Sequence, residues 1–126
     1  MRLRILTVDD AKAVRLLAER ALSPFACETA EATNGFNALY AMEKALPDLV
    51  LLDVSMPVMG GLELLEMMRS NDTLRDLPVI MLTSPADHAI LGRLAELGIS
   101  GKLVKPFRPE ALVAAVRAVV KLSPRH

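Results

Sequence analysis

Aromatic residues are scarce in this chain of 126 residues. It has no tryptophan, one tyrosine and three phenylalanines, although 52% of its residues are hydrophobic, so its core must be aliphatic. The single cysteine, Cys27, excludes an internal disulfide and fits a reducing compartment. We expect Cys27 to be a small core residue. The length suits one domain with its own core, and we predict a single domain over residues 1–126.

An excess of charge of one sign is also missing. Fifteen basic residues balance fifteen acidic ones, which gives no support to a nucleic-acid-binding surface. No apolar run approaches the length needed to cross a bilayer, and the amino terminus lacks the apolar segment of a signal peptide. We therefore expect a cytoplasmic protein that binds neither membranes nor, directly, nucleic acid.

Short apolar runs alternate with segments of helical periodicity along the whole chain. The runs predict strands at residues 2–8, 25–30, 49–53, 77–82 and 101–104. The periodic segments predict helices at residues 11–22, 34–44, 62–69, 85–97 and 108–122, with Gly98 as the C-cap of the fourth. This alternation indicates an α/β fold, a parallel sheet with right-handed crossovers and helices on both faces.

Polar residues stand at the ends of four predicted strands. Asp9 and Asp10 follow the first strand, Asp53 ends the third, Thr83 follows the fourth and Lys105 follows the fifth. Any one of them could be an ordinary turn or surface residue. Because the carboxyl ends of parallel strands meet at one edge, we expect all five side chains to converge there. Open α/β sheets bind their ligands at this edge.

The chemistry of the converged side chains points to phosphoryl transfer. Three carboxylates held together repel one another and need a cation or a proton. Hard oxygen ligands select Mg²⁺ or Mn²⁺. One carboxylate can then attack phosphorus as a nucleophile, while the metal and Lys105 neutralise the phosphoryl oxygens. The Thr83 hydroxyl can hydrogen-bond another of those oxygens.

These strand-end residues and their neighbours resemble the receiver domains of two-component response regulators, and among them the chemotaxis-regulator type. The match runs from residue 4 to about residue 121 in the family's order and spacing. The resemblance implies a doubly wound, flavodoxin-like sheet of five parallel strands in the order 2-1-3-4-5. The matching residues are Asp9, Asp10, Asp53, Met56, Pro57, Gly61, Thr83, Ser84, Lys105, Pro106 and Phe107.

The resemblance also implies a metal site and a phosphoacceptor. Asp53 would accept the phosphoryl group from a histidine kinase or a phosphotransfer protein. Asp10, Asp53 and the backbone carbonyl of Ser55 would bind Mg²⁺ directly, and Asp9 would act through water. The chain would catalyse only its own phosphorylation and dephosphorylation, so it would be a signalling switch and not an enzyme acting on other substrates.

The implied signal leaves through a second surface. Lys105 would contact the phosphoryl group, and its bond to Pro106 would be cis. Thr83 would follow the phosphoryl group and couple the site to the fourth helix, the fifth strand and the fifth helix, where a downstream protein partner would bind. No output domain is evident in the sequence, so we expect a stand-alone receiver or an effector on another chain.

Several positions depart from the family pattern. Lys102 occupies the position of the usual aromatic switch residue, and Gly60 replaces a usual Asp or Asn, which removes a cap for the third helix. Ser55 and Pro85 occupy the variable positions that influence hydrolysis of the phosphoryl group.

The unusual Lys102 leads to an expectation of its own. A lysine keeps its ammonium in water, so we expect Lys102 to stay at the surface in both signalling states. The fifth helix has a wider apolar arc than a sheet face covers, and we expect its Val113 and Val120 to be exposed. With Leu91 and Ala95 they would form a mixed apolar and basic docking patch around Lys102.

Other functions remain open from the residues alone. A receiver-like binding module that phosphate does not switch is favoured by Lys102 but disfavoured by the complete set of acids, Thr83 and Lys105. An aspartyl-phosphate phosphatase would want a second acid where Ser55 stands. A flavodoxin-like cofactor binder would want Ser, Thr and Gly after the first strand, and the two acids there would repel phosphate. We expect His88 and His126 to be isolated surface residues.

Overall fold

The computed structural model describes residues 2–125. Among the helices of this range, none has the length and apolar character that a membrane crossing needs. A 3₁₀ segment, Pro85–Ile90, directly precedes the fourth α-helix. The other elements are Leu3–Val8 (β1), Lys12–Leu22 (α1), Cys27–Ala32 (β2), Gly35–Lys44 (α2), Leu49–Asp53 (β3), Gly61–Arg69 (α3), Val79–Thr83 (β4), Leu91–Leu97 (α4), Gly101–Val104 (β5) and Pro109–Arg117 (α5).

The five strands form one parallel sheet in the order β2-β1-β3-β4-β5. The predicted doubly wound fold and strand order are therefore confirmed. Every residue of β3 and β4 is buried, because these central strands have helices on both faces. Their continuous apolar sequences reflect this position.

Alternation along the strands divides the core into two layers. Leu6 and Leu52 pack on the side of α2, α3 and α4. Ile5 and Leu51 pack on the opposite side, with α1 and α5. Cys27 joins the second layer, and burial raises the pKa of its thiol. It is the small core residue that the sequence predicted.

Helix boundaries differ from the prediction at two places. Residues 85–97 do not form one helix: the 3₁₀ segment comes first, and α4 begins only at Leu91. Ser84 and Asp87 form a capping box at the start of the 3₁₀ segment, with the Ser84 amide donating to Asp87 Oδ2 at 2.7 Å. α5 ends at Arg117, before the predicted residue 122. Gly98 is the C-cap of α4 as predicted, with φ of 91°.

The carboxyl-terminal residues pack on the start of β2. Phe25 and Pro124 form an antiparallel bridge. The Ala26 amide donates to the Ser123 carbonyl at 2.7 Å, and Arg125 Nη2 donates to the Cys27 carbonyl at 2.9 Å. β2 itself spans Cys27–Ala32, two residues later than the predicted 25–30. His126 lies outside the described residues, and His88 is exposed as predicted.

A glycine sets how closely α3 approaches the end of β3. Gly60 is the N-cap of α3 and supplies no side-chain cap, as the sequence predicted. The Gly61 amide donates to the Val54 carbonyl at 2.8 Å. A Cβ at Gly61 would lie 3.0 Å from Val54 Cα and closer still to the Asp53 carbonyl oxygen. Only glycine allows this contact with rigid backbone.

We therefore expect Gly61→Ala to lower the free energy of unfolding by about 2 kcal/mol or more, since the added methyl group must displace backbone. Gly92→Ala is the matched control, because a Cβ there meets nothing within 4 Å. It should raise stability by up to about 1 kcal/mol through helix propensity. Urea unfolding measures both. Equal stability of Gly61→Ala and wild type would contradict the close approach.

Candidate functional site

Three carboxylates gather at the carboxyl edge of the sheet. Asp9 and Asp10 follow β1, and Asp53 is the last residue of β3. Their side chains offer oxygen atoms that all lie within 4.8 Å of one another. Asp9 is 0% exposed and Asp53 is 4% exposed, whereas Asp10 is exposed to solvent. The predicted convergence of the acids is confirmed, and Asp10 gives the cluster a side open to water.

Lys105 lies between the two buried acids. Its Nζ is 2.7 Å from Asp9 Oδ2 and donates a hydrogen bond of 2.9 Å to Asp53 Oδ1. The Lys105 amide donates to the Thr83 carbonyl at 2.7 Å, which fixes its backbone to the end of β4. The bond from Lys105 to Pro106 is cis, as predicted. One ammonium thus serves as counter-ion to two carboxylates that come from different strands.

The balance of charge in this cluster is incomplete. Burial raises the pKa of Asp53 to about 6; the hydrogen bond from Lys105 opposes the shift, and the charges of Asp9 and Asp10 add to it. Burial alone would lower the pKa of Lys105, but its contacts with Asp9 and Asp53 outweigh burial and raise it. A cation bound among the acids would relieve the excess negative charge.

Asp9 is held at three of its four polar groups. Its amide donates to the Ala32 carbonyl at 3.1 Å, its Oδ1 accepts from the Ala11 amide at 2.9 Å, and its carbonyl accepts from Arg15 Nη1 at 2.8 Å. Its Oδ2 is buried and, among the described residues, has no hydrogen bond of good geometry. The contact of Oδ2 with Lys105 is therefore ionic, and this oxygen remains available to a further ligand.

The donor set fits a magnesium ion. Mg²⁺ prefers a small number of carboxylate oxygens together with water, and the cluster offers three carboxylates with one exposed member. Asp9 Oδ2 has the Lys105 ammonium as its one partner among the described residues, so this carboxylate oxygen keeps a lone pair that a metal could use. Ser55 lies two residues after Asp53 and is exposed. The role predicted for its backbone carbonyl stays a prediction.

Thr83 stands at the same edge, but its hydroxyl does not contact the acids. Thr83 is 2% exposed, and its Oγ1 donates to the Leu103 carbonyl on β5 at 3.4 Å. This is a long and therefore weak hydrogen bond. The hydroxyl is engaged with the neighbouring strand and not with the acid cluster.

Arg15 contacts the acid site, which sequence reasoning did not predict. Helical periodicity assigns it to the polar side of α1, where a solvated side chain is expected. Its side chain is only 13% exposed and bridges Asp9 and Glu31. The signal that could have found it is an arginine about one turn into a helix that follows an acidic pair.

The surface near Lys102 differs from the prediction in its apolar members. Lys102 is exposed as expected. Val113 and Val120, predicted to be exposed, are half-buried and pack against the core layer of α1 and α5. The exposed apolar neighbour is instead Val104, which is 50% exposed. Because Leu103 faces the α1 and α5 layer, alternation places Lys102 and Val104 together on the other side of β5.

Comparison with known proteins gives a consistent family. The family model described as the response regulator receiver domain matches residues 5–117. PilG of Pseudomonas aeruginosa is 30% identical over 118 residues, covering 94% of this chain and 87% of PilG. The probable transcriptional regulator ycf27 of Guillardia theta is 36% identical over 118 residues, which cover 94% of this chain but 45% of ycf27. The chain thus spans less than half the length of that relative.

Solved structures agree with the sequence comparisons. The chemotaxis response regulator CheY4 of Vibrio cholerae superposes with a TM-score of 0.87 at 32% identity, covering 95% of this chain and 100% of CheY4. A response regulator from Chloroflexus aurantiacus superposes with a TM-score of 0.86 at 32% identity, covering 94% of this chain and 98% of that one. The chain belongs to the family of response regulator receiver domains.

Proposed function

We propose that this protein is a phosphorylation-controlled signalling switch whose phosphoacceptor is Asp53. The observation that carries the proposal is the position of Asp53: it is buried at the end of β3, 2.9 Å from the Lys105 ammonium and beside two further acids. The phosphodonor is a histidine kinase or a phosphotransfer protein. The switch acts as one domain over residues 1–126, and a cytoplasmic location stays a prediction.

Phosphoryl transfer is a direct displacement at phosphorus. An oxygen of Asp53 forms a bond to phosphorus while the bond from phosphorus to the donor's imidazole nitrogen breaks. The imidazole, protonated on its other nitrogen, leaves as a neutral ring with the electron pair. Lys105 moves its contact from Asp53 Oδ1 to a phosphoryl oxygen. A bound Mg²⁺ supplies charge neutralisation for the acids and the phosphoryl oxygens, and Asp9, Asp10, Asp53 and the Ser55 carbonyl are the groups that would hold it.

Thr83 is the residue that reports phosphorylation. To hydrogen-bond a phosphoryl oxygen, its hydroxyl must give up the 3.4 Å bond to the Leu103 carbonyl. That exchange costs little because the bond is weak. The following 3₁₀ segment, Pro85–Ile90, has no buried residue, so it can follow the movement of Thr83. The output surface is α4, β5 and α5, with Lys102 and Val104 exposed at its centre.

Lys102 also favours a second function, a receiver-like module that binds a partner whether or not it is phosphorylated. An exposed lysine in the place of an aromatic switch residue would hold the surface in one state. The intact acid cluster and Lys105 argue for the first function, since a module without phosphorylation has no use for them. The two functions predict different results in the hydrogen-exchange experiment described below.

The first prediction concerns the site of modification. Acetyl phosphate with Mg²⁺ should add the mass of one phosphoryl group to the protein, and Asp53→Ala should abolish the gain. Asp72→Ala is the control, because Asp72 is an exposed acid whose ion-pair partner is Arg75. Intact-mass spectrometry reads the result. A phosphoryl gain in Asp53→Ala would show that the nucleophile is another residue.

The second prediction concerns the metal-free site. Because the pKa of Asp53 is raised to about 6 in the folded state, the folded protein binds this proton more tightly than the unfolded chain. Without metal, stability should therefore fall as pH rises from about 4 to 6 and stay lower above that range. Asp53→Asn removes this titration, so at pH 7.5 in EDTA its Tm should exceed that of wild type by about 3 °C or more.

Magnesium should reverse the order of the Tm values of wild type and Asp53→Asn. Saturating Mg²⁺ adds stability to the wild type by mass action, and Asp53→Asn, which lacks a ligand carboxylate, should gain much less. Asp10→Asn should weaken the response to Mg²⁺ more than Asp9→Asn, because Asp10 is assigned as a direct ligand. Thermal melts over a Mg²⁺ series give all these values. An unchanged wild-type Tm at saturating Mg²⁺ would count against the metal site.

The third prediction separates the two functions. With Mg²⁺ and beryllofluoride, a phosphoryl mimic, amide hydrogen exchange should change in residues 84–97 more than in β5, since Lys102 stays at the surface. Lys102→Glu reverses the charge of the output surface and should weaken binding of the physiological partner. Identical exchange with and without beryllofluoride would favour the module that phosphate does not switch.

A further inference from the structure

We infer that Arg15 is a positioning residue for the metal-ligating acids, an inference that rests on the proposed function. Its guanidinium hydrogen-bonds two groups that belong to different parts of the fold. Nη1 donates to the Asp9 backbone carbonyl at 2.8 Å, and Nε donates to Glu31 Oε1 on β2 at 2.7 Å. The side chain is 13% exposed, so the contact with the loop between β1 and α1 is sheltered from water.

Apart from the Asp9 amide bond to Ala32 and the ion pair with Lys105, the loop that carries the acids has few contacts. The N-cap of α1 is Ala11, which offers no side-chain cap, and the first turn of α1 has no acidic residue. The Asp9 side chain itself supplies one bond, to the Ala11 amide at 2.9 Å. Arg15 reaches back from the second turn of α1 and binds the carbonyl that none of these groups satisfies.

The hydrogen bond from Arg15 to the Asp9 carbonyl affects the orientation of both Asp9 and Asp10. The Asp9 carbonyl belongs to the peptide unit that connects Asp9 to Asp10. Fixing this unit, together with the bond of the Asp9 amide to the Ala32 carbonyl, leaves Asp9 Oδ2 directed toward Lys105. Within residues 2–125 the carboxylate of Asp10 makes no hydrogen bond or ion pair, so its direction depends on the same peptide unit.

Glu31 determines the orientation of the guanidinium. It lies on β2 opposite Thr7 of β1, so its backbone position is fixed by the sheet. A planar guanidinium that bonds Glu31 and the Asp9 carbonyl at once has little rotational freedom, which a lysine ammonium cannot reproduce. Groups that orient metal ligands in this way typically change metal affinity about tenfold or more when they are removed.

The test compares Mg²⁺ affinity in four forms of the full chain by isothermal titration with Mg²⁺ alone. Arg15→Gln should raise the Kd for Mg²⁺ by about tenfold. Arg20→Gln is the matched control, because it removes the same charge from the exposed part of the same helix, and its Kd should equal that of wild type. Arg15→Lys keeps the charge but loses the planar fork, so it should recover only part of the affinity.

A structural role alone would give a different result. It would lower the Tm of Arg15→Gln in EDTA and leave its Kd for Mg²⁺ unchanged, which would overturn the inference. Full recovery in Arg15→Lys would overturn it too, because charge would then suffice. If Arg15→Gln does not fold, Glu31→Gln, which weakens the orientation of Arg15, should still raise the Kd, and an unchanged value would overturn the inference. A wild type without measurable Mg²⁺ binding would overturn the metal site of the proposed function itself.

Discussion

The rest of the site depends on one ammonium between two buried carboxylates. Lys105 Nζ lies 2.7 Å from Asp9 and 2.9 Å from Asp53. Buried carboxylates are costly unless they are paired, so this contact stabilises both acids at the sheet edge. The pairing is incomplete, because Asp10 adds a third acid to a cluster that contains one lysine. The fold therefore maintains a site that is stable enough to form and that keeps an excess of negative charge.

The sequence predicts the parts of this arrangement that follow from periodicity and topology. Alternating strands and helices determine a parallel sheet, and a parallel sheet brings the ends of β1, β3 and β5 to one edge. Asp9, Asp53 and Lys105 could therefore be assigned to one site before any coordinates. Arg15 could not, because periodicity distinguishes the faces of a helix but not a side chain that reaches back to the preceding loop. Topology also leaves the direction of the Thr83 hydroxyl open, since its rotamer directs it to the Leu103 carbonyl on β5.

The surface was predicted less well because exposure depends on neighbours distant in sequence. Counting apolar positions on the predicted fifth helix left Val113 and Val120 without cover. Val113 lies on α5, which packs against α1 as well as against the sheet, and Val120, beyond the end of α5, packs against the same core layer. Val104, in contrast, is exposed although the sequence did not predict it. It ends an edge strand, and α4, with Leu94 as its buried residue, does not extend over it. The exposed large apolar residue beside Lys102 thus lies on β5 and not on α5.

The segment from residue 84 to residue 98 is held more firmly at its carboxyl end than at its start. No residue of the 3₁₀ segment Pro85–Ile90 is buried, and a capping box holds its start. At the other end, Arg69 Nε and Nη2 donate to the carbonyls of Leu97 and Gly98 at 3.0 and 2.7 Å, and Arg93 pairs with Glu66 on α3. The residues that directly follow Thr83 are therefore not buried, while the end of α4 is attached to α3.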